Sequence, residues 1–382
     1  MAAGAGGVHP PAAALANGAL SHAFEQDNLT APDSGAHPGA TLFTAALAIA
    51  QDRRLSGRAV LTAFVAGAEV MIRIGLAARR SHELRGFHAP STVGPYGGAI
   101  TVGKLLGLDA GKMANAMGIA GSLSSGILEF ARSGQGAMVK RLHLGRAAEG
   151  GVMAGTLAAD GYEGPKTVLE GSAGYLRVHC TEAADPTILT RGLGQEWVTR
   201  TIRLKRFAAH ITAHTAMEAA LDLKAANRFD ADAVAMVEIA GSRRMATVNN
   251  IPAPADILIG QYSVPFCVAL SLHRNPVDPA SFSEDSVHNP AILASARQIR
   301  MVVADGQNDA DFSSTVTVRL KDGRVFTKRV TDFKGTPTVP LTQPELREKF
   351  LLLAQNFPVE MERWFERIMA LEREPNLEWM VA

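Results

Sequence analysis

Apolar and small residues recur every three or four positions along the first two hundred residues, where β-branched alternation is scarce. This spacing predicts a series of helices. One helix should follow an N-cap at Ser56 and run to about Arg80, with small side chains such as Ala63 and Ala66 on one face. Five glycines lie between Gly94 and Gly107, a pattern that predicts a close helix crossing.

The pattern changes at about Lys205, after which segments rich in Val, Ile and Thr predict β-strands. Asp322 and Gly323 separate two alternating runs and therefore predict a tight hairpin turn. Near the C-terminus, Thr342 and Glu345 predict a capping box at the start of a helix. The predicted strands are 233–239, 299–303 and 315–330. Helix 212–228 is predicted before the first strand, and helices 263–274 and 289–298 are predicted between the first and second strands.

This order of elements predicts a mainly α fold with two domains. An all-helical domain is built from both chain ends, residues 1–204 plus 341–382, and a smaller α+β lid domain, residues 205–340, is inserted into it. A length of 382 residues is typical of two domains. No internal repeat is evident.

Composition and charge exclude several classes of protein. The chain is 47% hydrophobic and 20% charged, which excludes disorder, and its formal charge of +1 draws it to neither nucleic acid nor an anionic membrane. The most apolar stretch, residues 59–78, contains Glu69 and Arg73, so we predict a buried helix in place of a membrane span. No Lys or Arg precedes Arg53, which argues against a secretory or mitochondrial leader, and we expect a cytoplasmic protein.

Several short motifs resemble metal or phosphate sites but lack residues that such sites require. Cys180 and Cys267 are far apart in sequence and exclude a disulfide framework or a multi-thiolate metal site. His210 and His214 have zinc-compatible spacing but lack the glutamate of a metalloprotease helix. The segment 98–104 imitates a phosphate-binding loop but is not followed by the hydroxyl residue that coordinates Mg²⁺. We therefore predict no metal, no cofactor and no covalent nucleophile.

Histidines, lysines and acids do recur in five segments that otherwise favour small or apolar residues. The segments are 17–28 with 36–39, 85–94, 138–148, 205–210 and 261–266. In this order, from about Ala12 through the C-terminal helices, the chain resembles the MmgE/PrpD family, which includes 2-methylcitrate dehydratase, cis-aconitate decarboxylase and an iminodisuccinate epimerase. The resemblance implies a homodimer and cofactor-free chemistry on small polycarboxylates, in a cleft between a helical domain and a lid.

The resemblance also implies roles for individual residues. The family's H-x-x-D-x-D-D segment is similar to His22, Glu25, Asp27 and Asn28, and its other motif residues are similar to His37, His88, Lys140, Lys205, His210 and Tyr262. We expect His88 and His210 to act as the acid–base pair, because an ordinary imidazole titrates near pH 6.5. The remaining expected roles are positioning or assistance by His37 and Asp27, binding of substrate carboxylates by Lys140 and Lys205, and hydrogen-bond donation by Tyr262.

These residues also have purely structural interpretations. His37 could cap a helix, His88 could be a hydrogen-bonded core residue, Asp27 could be an ordinary turn residue, and Lys140 could lie on a solvated basic face. His22 and Glu25 are expected to be local supports.

The chain departs from the family pattern at three positions and at its start. Glu25 and Asn28 replace aspartates, and Leu29 replaces a threonine found in some decarboxylases. Family members usually begin several dozen residues earlier, so we expect an exposed apolar groove and lower solubility than for a longer chain.

Three functions stay open. The first is a cofactor-independent lyase, a dehydratase or decarboxylase, acting on a di- or tricarboxylate. The second is an epimerase or isomerase on the same scaffold, since that reaction also begins with proton abstraction next to a carboxylate. The third is a catalytically silent dimeric paralogue that binds a carboxylate or a protein partner.

Overall fold

The computed structural model describes residues 7–31, 34–131, 137–357 and 360–380; the extreme ends of the predicted helical domain lie outside these ranges. Helices dominate, which confirms the mainly α prediction. The α-helices of the described part are α1 (Pro10–Ser21), α2 (Thr44–Arg53), α3 (Gly57–Ala78), α4 (Ser81–Leu84), α5 (Ala89–Leu105), α6 (Ala110–Ser122), α7 (Val139–Ala159), α8 (Tyr175–Val178), α9 (His214–Asn227), α10 (Arg243–Thr247), α11 (Ile257–Gly260), α12 (Val264–His273), α13 (Glu284–Val287), α14 (Pro290–Arg297), α15 (Gln343–Ala354) and α16 (Met361–Met369).

In the part of the chain that the structure describes, two small sheets accompany the helices. The strands are β1 (Asn28–Leu29), β2 (Arg203–Leu204), β3 (Val234–Gly241), β4 (Ile299–Val303), β5 (Ser314–Leu320) and β6 (Val325–Val330). The larger sheet has the order β4-β3-β5-β6, with β3 and β4 parallel and the other pairs antiparallel. Gly323 has a φ of 92° in the turn between β5 and β6, so the predicted hairpin is confirmed.

The close helix crossing is confirmed and brings α5 against α7. A Cβ added to Gly98 would lie 2.9 Å from the Cα of Gly151, so any larger residue at either position would push the two helices apart. Gly107 does not contribute to this crossing, because it lies beyond the end of α5 with open space around it. The crossing fixes the relative positions of the N-terminal ends of α5 and α7.

The long apolar helix α3 begins after Ser56, whose side chain accepts a hydrogen bond from the backbone N–H of Ala59. The helix is long and apolar enough to cross a membrane, but 56% of its most apolar 18-residue stretch is buried inside the protein. Glu69 and Arg73 form a buried ion pair on it, with 3.4 Å between Nε and Oε2. Both observations are typical of a core helix in a packed protein.

Among the described residues, two large hydrophobic cores occupy different parts of the chain. Buried residues between 36 and 180 form one of them, around α3, α5 and α6. Buried residues between 207 and 320 form the other, where α9, α12 and α14 pack on the larger sheet. The cores lie on either side of the predicted boundary at residue 205, but the domain limits themselves stay a prediction.

The C-terminal segment returns to the N-terminal part of the molecule. The capping box of Thr342 and Glu345 is confirmed at the start of α15. Leu371, Leu377 and Met380 pack in one cluster with apolar residues of α2 and α3. Two helices follow in this segment, since α15 ends at Ala354 and α16 begins at Met361.

The carboxyl group of Glu218 on α9 should make stability depend on pH. Burial raises its pKa to about 7, against an ordinary 4.5, although the backbone N–H of Lys334 donates to it at 2.9 Å. Because the folded-state pKa is raised, the stabilising contribution is complete below pH 4.5 and is lost as the pH rises through 7. We therefore compare the free energy of unfolding of Glu218→Gln with that of the parent protein. This difference should shift in favour of Glu218→Gln by on the order of 2–3 kcal/mol when the pH is raised from 5 to 8. Urea unfolding at both pH values tests this.

The exposed Glu348→Gln on α15 is the matched control for this experiment and should show no such gain. A Glu218→Gln protein whose unfolding free energy follows that of the parent at both pH values would contradict the prediction.

Candidate active site

A cavity of about 680 Å³ lies where the two parts of the chain meet. Its wall includes His37, His88 and Lys140 from the N-terminal part and residues that follow β2. Of the seven predicted site residues, the cavity is lined by His37, His88, Lys140, Lys205, His210 and Tyr262. Asp27 lies behind the wall and contacts it through His37. The structure therefore brings the predicted residues together, while their chemical roles stay predictions.

Helix ends hold several of these side chains in place. His88 is the residue before α5, and Lys140 lies in the first turn of α7, so the glycine crossing of these two helices sets their separation. His210 precedes a short 3-10 turn, Ile211–Ala213. Tyr262 lies between α11 and α12.

Glu25 is the centre of a buried ion cluster in the cavity wall. Both of its carboxylate oxygens lie 2.6 Å from Lys140 Nζ, and Oε2 also lies 2.6 Å from Arg141 Nη1. Lys205 Nζ donates to Oε1 at 2.9 Å. Glu25 adopts a φ of 57°, a conformation that costs a non-glycine residue about 1 kcal/mol or more and that these contacts hold in place.

The charges in this cluster do not balance. Burial alone would raise the pKa of Glu25, but Lys140, Lys205, His22 and Arg141 lower it well below its ordinary value, so Glu25 is ionised. Burial lowers the pKa of Lys140, and Glu25 opposes that shift. Three basic side chains thus surround one carboxylate. The surplus positive charge suits an anionic substrate.

Asp27 orients two histidines. Its Oδ1 lies 2.7 Å from His22 Nδ1 and its Oδ2 lies 2.7 Å from His37 Nδ1. Burial would raise the pKa of Asp27, but the two histidines lower it well below its ordinary value, so both Nδ1 atoms donate to a carboxylate. Burial lowers the pKa of His37 despite Asp27, which favours a neutral ring with an unprotonated Nε2. That nitrogen can accept a proton.

The contacts of His210 favour the opposite tautomer. The hydroxyl and the backbone N–H of Thr212 lie 2.9 Å and 3.5 Å from His210 Nδ1, and because the N–H can only donate, these contacts favour a neutral ring with its proton on Nε2. Burial first, and then the charges of Arg244, Lys140 and Lys205, lower the pKa of His210 well below its ordinary value. Its ring stacks on Tyr262 with 4.8 Å between centroids. Burial raises the pKa of Tyr262, whose hydroxyl therefore stays a hydrogen-bond donor.

His88 is paired with a histidine for which the sequence predicted no role. The Nδ1 atoms of His88 and His143 lie 3.0 Å apart, so one ring donates to the other. Phe130 packs edge-on against both rings, at 5.0 Å and 5.5 Å between centroids. Burial lowers the pKa of each histidine, and the charge of Lys140 adds to the shift. His143 lies one turn after Lys140 on α7, the signal that could have found it.

Two of the purely structural interpretations, those for Lys140 and Asp27, are wrong. Lys140 is 5% exposed and does not lie on a solvated face. Asp27 binds two imidazoles and is not an ordinary turn residue. The structural interpretation of His88 agrees with the structure in part, since His88 is buried and its Nδ1 lies 3.0 Å from His143 Nδ1, but His88 also lines the cavity. Glu25, expected to be only a local support, contacts both predicted substrate-binding lysines.

The departures from the family pattern divide into two kinds. Asn28 accepts a hydrogen bond from the Gly39 N–H at 2.7 Å and lies outside the cavity lining, so its role is structural. Leu29 and Glu25 both line the cavity. The substitutions at these two positions therefore change the surface offered to a substrate.

His22, Asp27 and His37 are the described residues that could hold a metal ion, since their ligand atoms lie within 4.8 Å of one another. The same atoms already form two 2.7 Å hydrogen bonds, and the cations around Glu25 lie next to them. This donor set fits a hydrogen-bonded network better than a cation site. His214 packs between Phe207 and Phe333, and its Nε2 lies 3.3 Å from the carbonyl oxygen of Ala209, an environment typical of a core histidine.

Comparison with known proteins identifies the family. The MmgE/PrpD N-terminal domain matches residues 3–187, and the MmgE/PrpD C-terminal domain matches residues 207–372. The chain therefore belongs to the MmgE/PrpD family.

Three curated relatives are described as cis-aconitate decarboxylases. The protein of Aspergillus terreus is 30% identical over 374 residues, covering 90% of this chain and 74% of the relative. The proteins of Homo sapiens and Mus musculus are 28% and 27% identical, each covering 89% of this chain and 72% and 71% of the relative. With the family, these relatives support a lyase.

Proposed function

We propose that this protein is a cofactor-independent decarboxylase of a small tricarboxylate with the chemistry of cis-aconitate. The observation that carries the proposal is a single cavity in which surplus buried positive charge adjoins three histidines whose pKa values are lowered. The relatives' decarboxylase activity supports the choice among the family's reactions.

The reaction requires charge stabilisation and one proton. Loss of CO₂ from the carboxylate on the saturated carbon leaves an electron pair that forms a new double bond. The former double bond then takes up a proton at its other carbon, so that a tricarboxylate and one proton yield CO₂ and a dicarboxylate. Negative charge develops on a carboxylate-conjugated, enolate-like system, which fixed cations stabilise.

The cavity supplies both requirements. Lys140 faces the substrate space with the surplus charge of the Glu25 cluster behind it. His88 is the proposed proton donor, because it lines the cavity and its partner His143 can pass on a proton. Burial and Lys140 lower the pKa of His88 in the protein alone, and the negative charge of a bound substrate would oppose that shift. His210 and Tyr262 offer Nε2–H and O–H donors to the substrate carboxylates.

The hydrogen-bonded pair of His37 and Asp27 favours a second candidate function. An imidazole with a free Nε2 and a carboxylate on Nδ1 is suited to abstract a proton, which decarboxylation does not require. Dehydration and epimerisation next to a carboxylate do require it. We therefore retain a dehydratase or epimerase as the alternative function of the same cavity.

One experiment separates these functions. The protein is incubated in D₂O with a panel of di- and tricarboxylates that includes cis-aconitate and 2-methylcitrate, and the mixture is followed by NMR and CO₂ release. We expect CO₂ from cis-aconitate, with one deuterium in the dicarboxylate product. Exchange of a substrate proton without CO₂ would favour the alternative, and neither signal across the panel would contradict catalysis and favour a binding paralogue.

A further inference from the structure

Most cations in the cavity wall already have a carboxylate partner. Lys140 and Lys205 both bind Glu25, at 2.6 Å and 2.9 Å. Arg80 donates to Glu83 at 3.1 Å. A substrate carboxylate that approached these side chains would compete with an existing ion pair.

Arg244 is different. It lines the same cavity, and its guanidinium has no hydrogen bond or ion pair with any residue that the structure describes. The Nε atom is buried without a partner among the described residues, and a buried polar atom without a hydrogen bond destabilises the protein, more so when it belongs to a charged group. A ligand that accepts from the guanidinium would remove this destabilisation.

The backbone of Arg244 is fixed, so its position does not depend on a mobile loop. Its N–H donates to Asp309 Oδ1 at 2.9 Å, and its carbonyl accepts from the N–H groups of Val248 and Asn249. Met245, the next residue of α10, is fully buried. The guanidinium therefore enters the cavity from a rigid support in the part of the chain that follows β2.

The place of Arg244 relative to the other site residues is also informative. Arg244 is the strongest charge acting on His210, and Asn249 and Tyr262 line the cavity with it. Lys140 enters the cavity from α7, in the N-terminal part of the chain. A substrate with two or more carboxylates could thus be held from both parts of the chain at once.

We propose that Arg244 binds one carboxylate of the substrate and makes the cavity selective for polycarboxylates. A guanidinium forms two parallel hydrogen bonds to a carboxylate, which gives geometric selectivity as well as affinity. The proposal rests on the proposed function in that both assume a polycarboxylate substrate, but it concerns binding and can be tested without turnover.

The test is calorimetric binding of propane-1,2,3-tricarboxylate, a non-reacting tricarboxylate, to the parent protein and to Arg244→Gln. We expect Arg244→Gln to raise Kd by 10- to 100-fold and Arg244→Lys to recover part of the loss, because lysine keeps the charge without the planar fork. The exposed neighbour Arg243→Gln should bind like the parent protein. With cis-aconitate as substrate, Arg244→Gln should raise KM far more than it lowers kcat.

Failure of this proposal can be distinguished from failure of the proposed function. A parent protein that binds the tricarboxylate but decarboxylates none contradicts the function alone, and the Arg244→Gln effect on Kd still decides the role of Arg244. A Kd within twofold of the parent value in a folded Arg244→Gln protein overturns the proposal. A parent protein that binds no tricarboxylate overturns both.

Discussion

Replacing His88 by glutamine is expected to lower kcat/KM for cis-aconitate by about 10²- to 10⁴-fold, the usual contribution of a general acid or base. Glutamine keeps a side chain that can hydrogen-bond to His143 but cannot deliver a proton. The melting temperature should change little, because His88 makes no capping bond and its main polar contact is retained. Steady-state kinetics and thermal unfolding of the same preparations provide the measurement.

Two further variants make this result specific. His288→Gln removes an exposed histidine whose side chain is 67% accessible, and it should retain full activity. His143→Gln should reduce kcat by less than His88→Gln and alter the pH profile, since His143 acts through His88. Undiminished turnover by His88→Gln would remove His88 from the mechanism and leave His210 as the proton donor.

Local chemistry explains why much of the fold could be predicted from the sequence. The helix starts at Ser56, Ser263, Asn289 and Thr342 depend on side chains that accept hydrogen bonds from N–H groups two or three residues later. The Asp322-Gly323 turn depends on one backbone conformation. The residues that form each of these signals lie within a few positions of one another, so the signals can be recognised in the sequence without knowledge of the tertiary structure.

The site was predicted for a different reason. No spacing rule places His88 near His210; the order of the five segments and the family resemblance did so, and the structure agrees on their proximity. The same information was insufficient for Glu25, because its partners Lys140 and Lys205 are 115 and 180 residues away. A buried ion cluster is visible only when distant segments meet.

Lys349 shows the same limit most clearly. Its Nζ donates to the carbonyls of Gln26 and Lys205 at 2.7 Å each, and so joins α15 to the two segments that carry Glu25 and Lys205. In the sequence it is one lysine in a charged C-terminal helix. Its importance follows from packing across 323 residues, which no local pattern encodes.

Four basic side chains, those of Lys140, Arg141, Lys205 and Lys349, determine the arrangement of the site around Glu25. Lys140, Arg141 and Lys205 converge on Glu25, and Lys349 fixes the backbone on both sides of the cluster. Arg244 lies outside this network and keeps its guanidinium free of any described partner. The cluster is therefore a preorganised support for the cavity, and its integrity should depend on the one carboxylate at its centre.

Replacing Glu25 by glutamine is accordingly expected to lower the free energy of unfolding by about 3–5 kcal/mol at pH 7, the usual cost of removing one partner from a buried ion pair. Three cations would then lie close together without a counter-charge. Because the folded-state pKa of Glu25 is well below 4.5, its contribution is complete above that pH and is lost as the pH falls further. The difference between Glu25→Gln and the parent protein in urea unfolding should therefore shrink from pH 7 towards pH 3.

Two comparisons decide whether the carboxylate itself carries the effect. Glu25→Asp keeps the charge and should lose less stability than Glu25→Gln, while the exposed Glu348→Gln should lose almost none. The double variant Glu25→Gln/Lys140→Met should be less destabilised than the sum of its single variants, since removal of Lys140 relieves part of the repulsion. Additive losses, or a Glu25→Gln protein within 1 kcal/mol of the parent, would show that the cluster does not act as a unit (about 1 kcal/mol being the ordinary effect of a substitution).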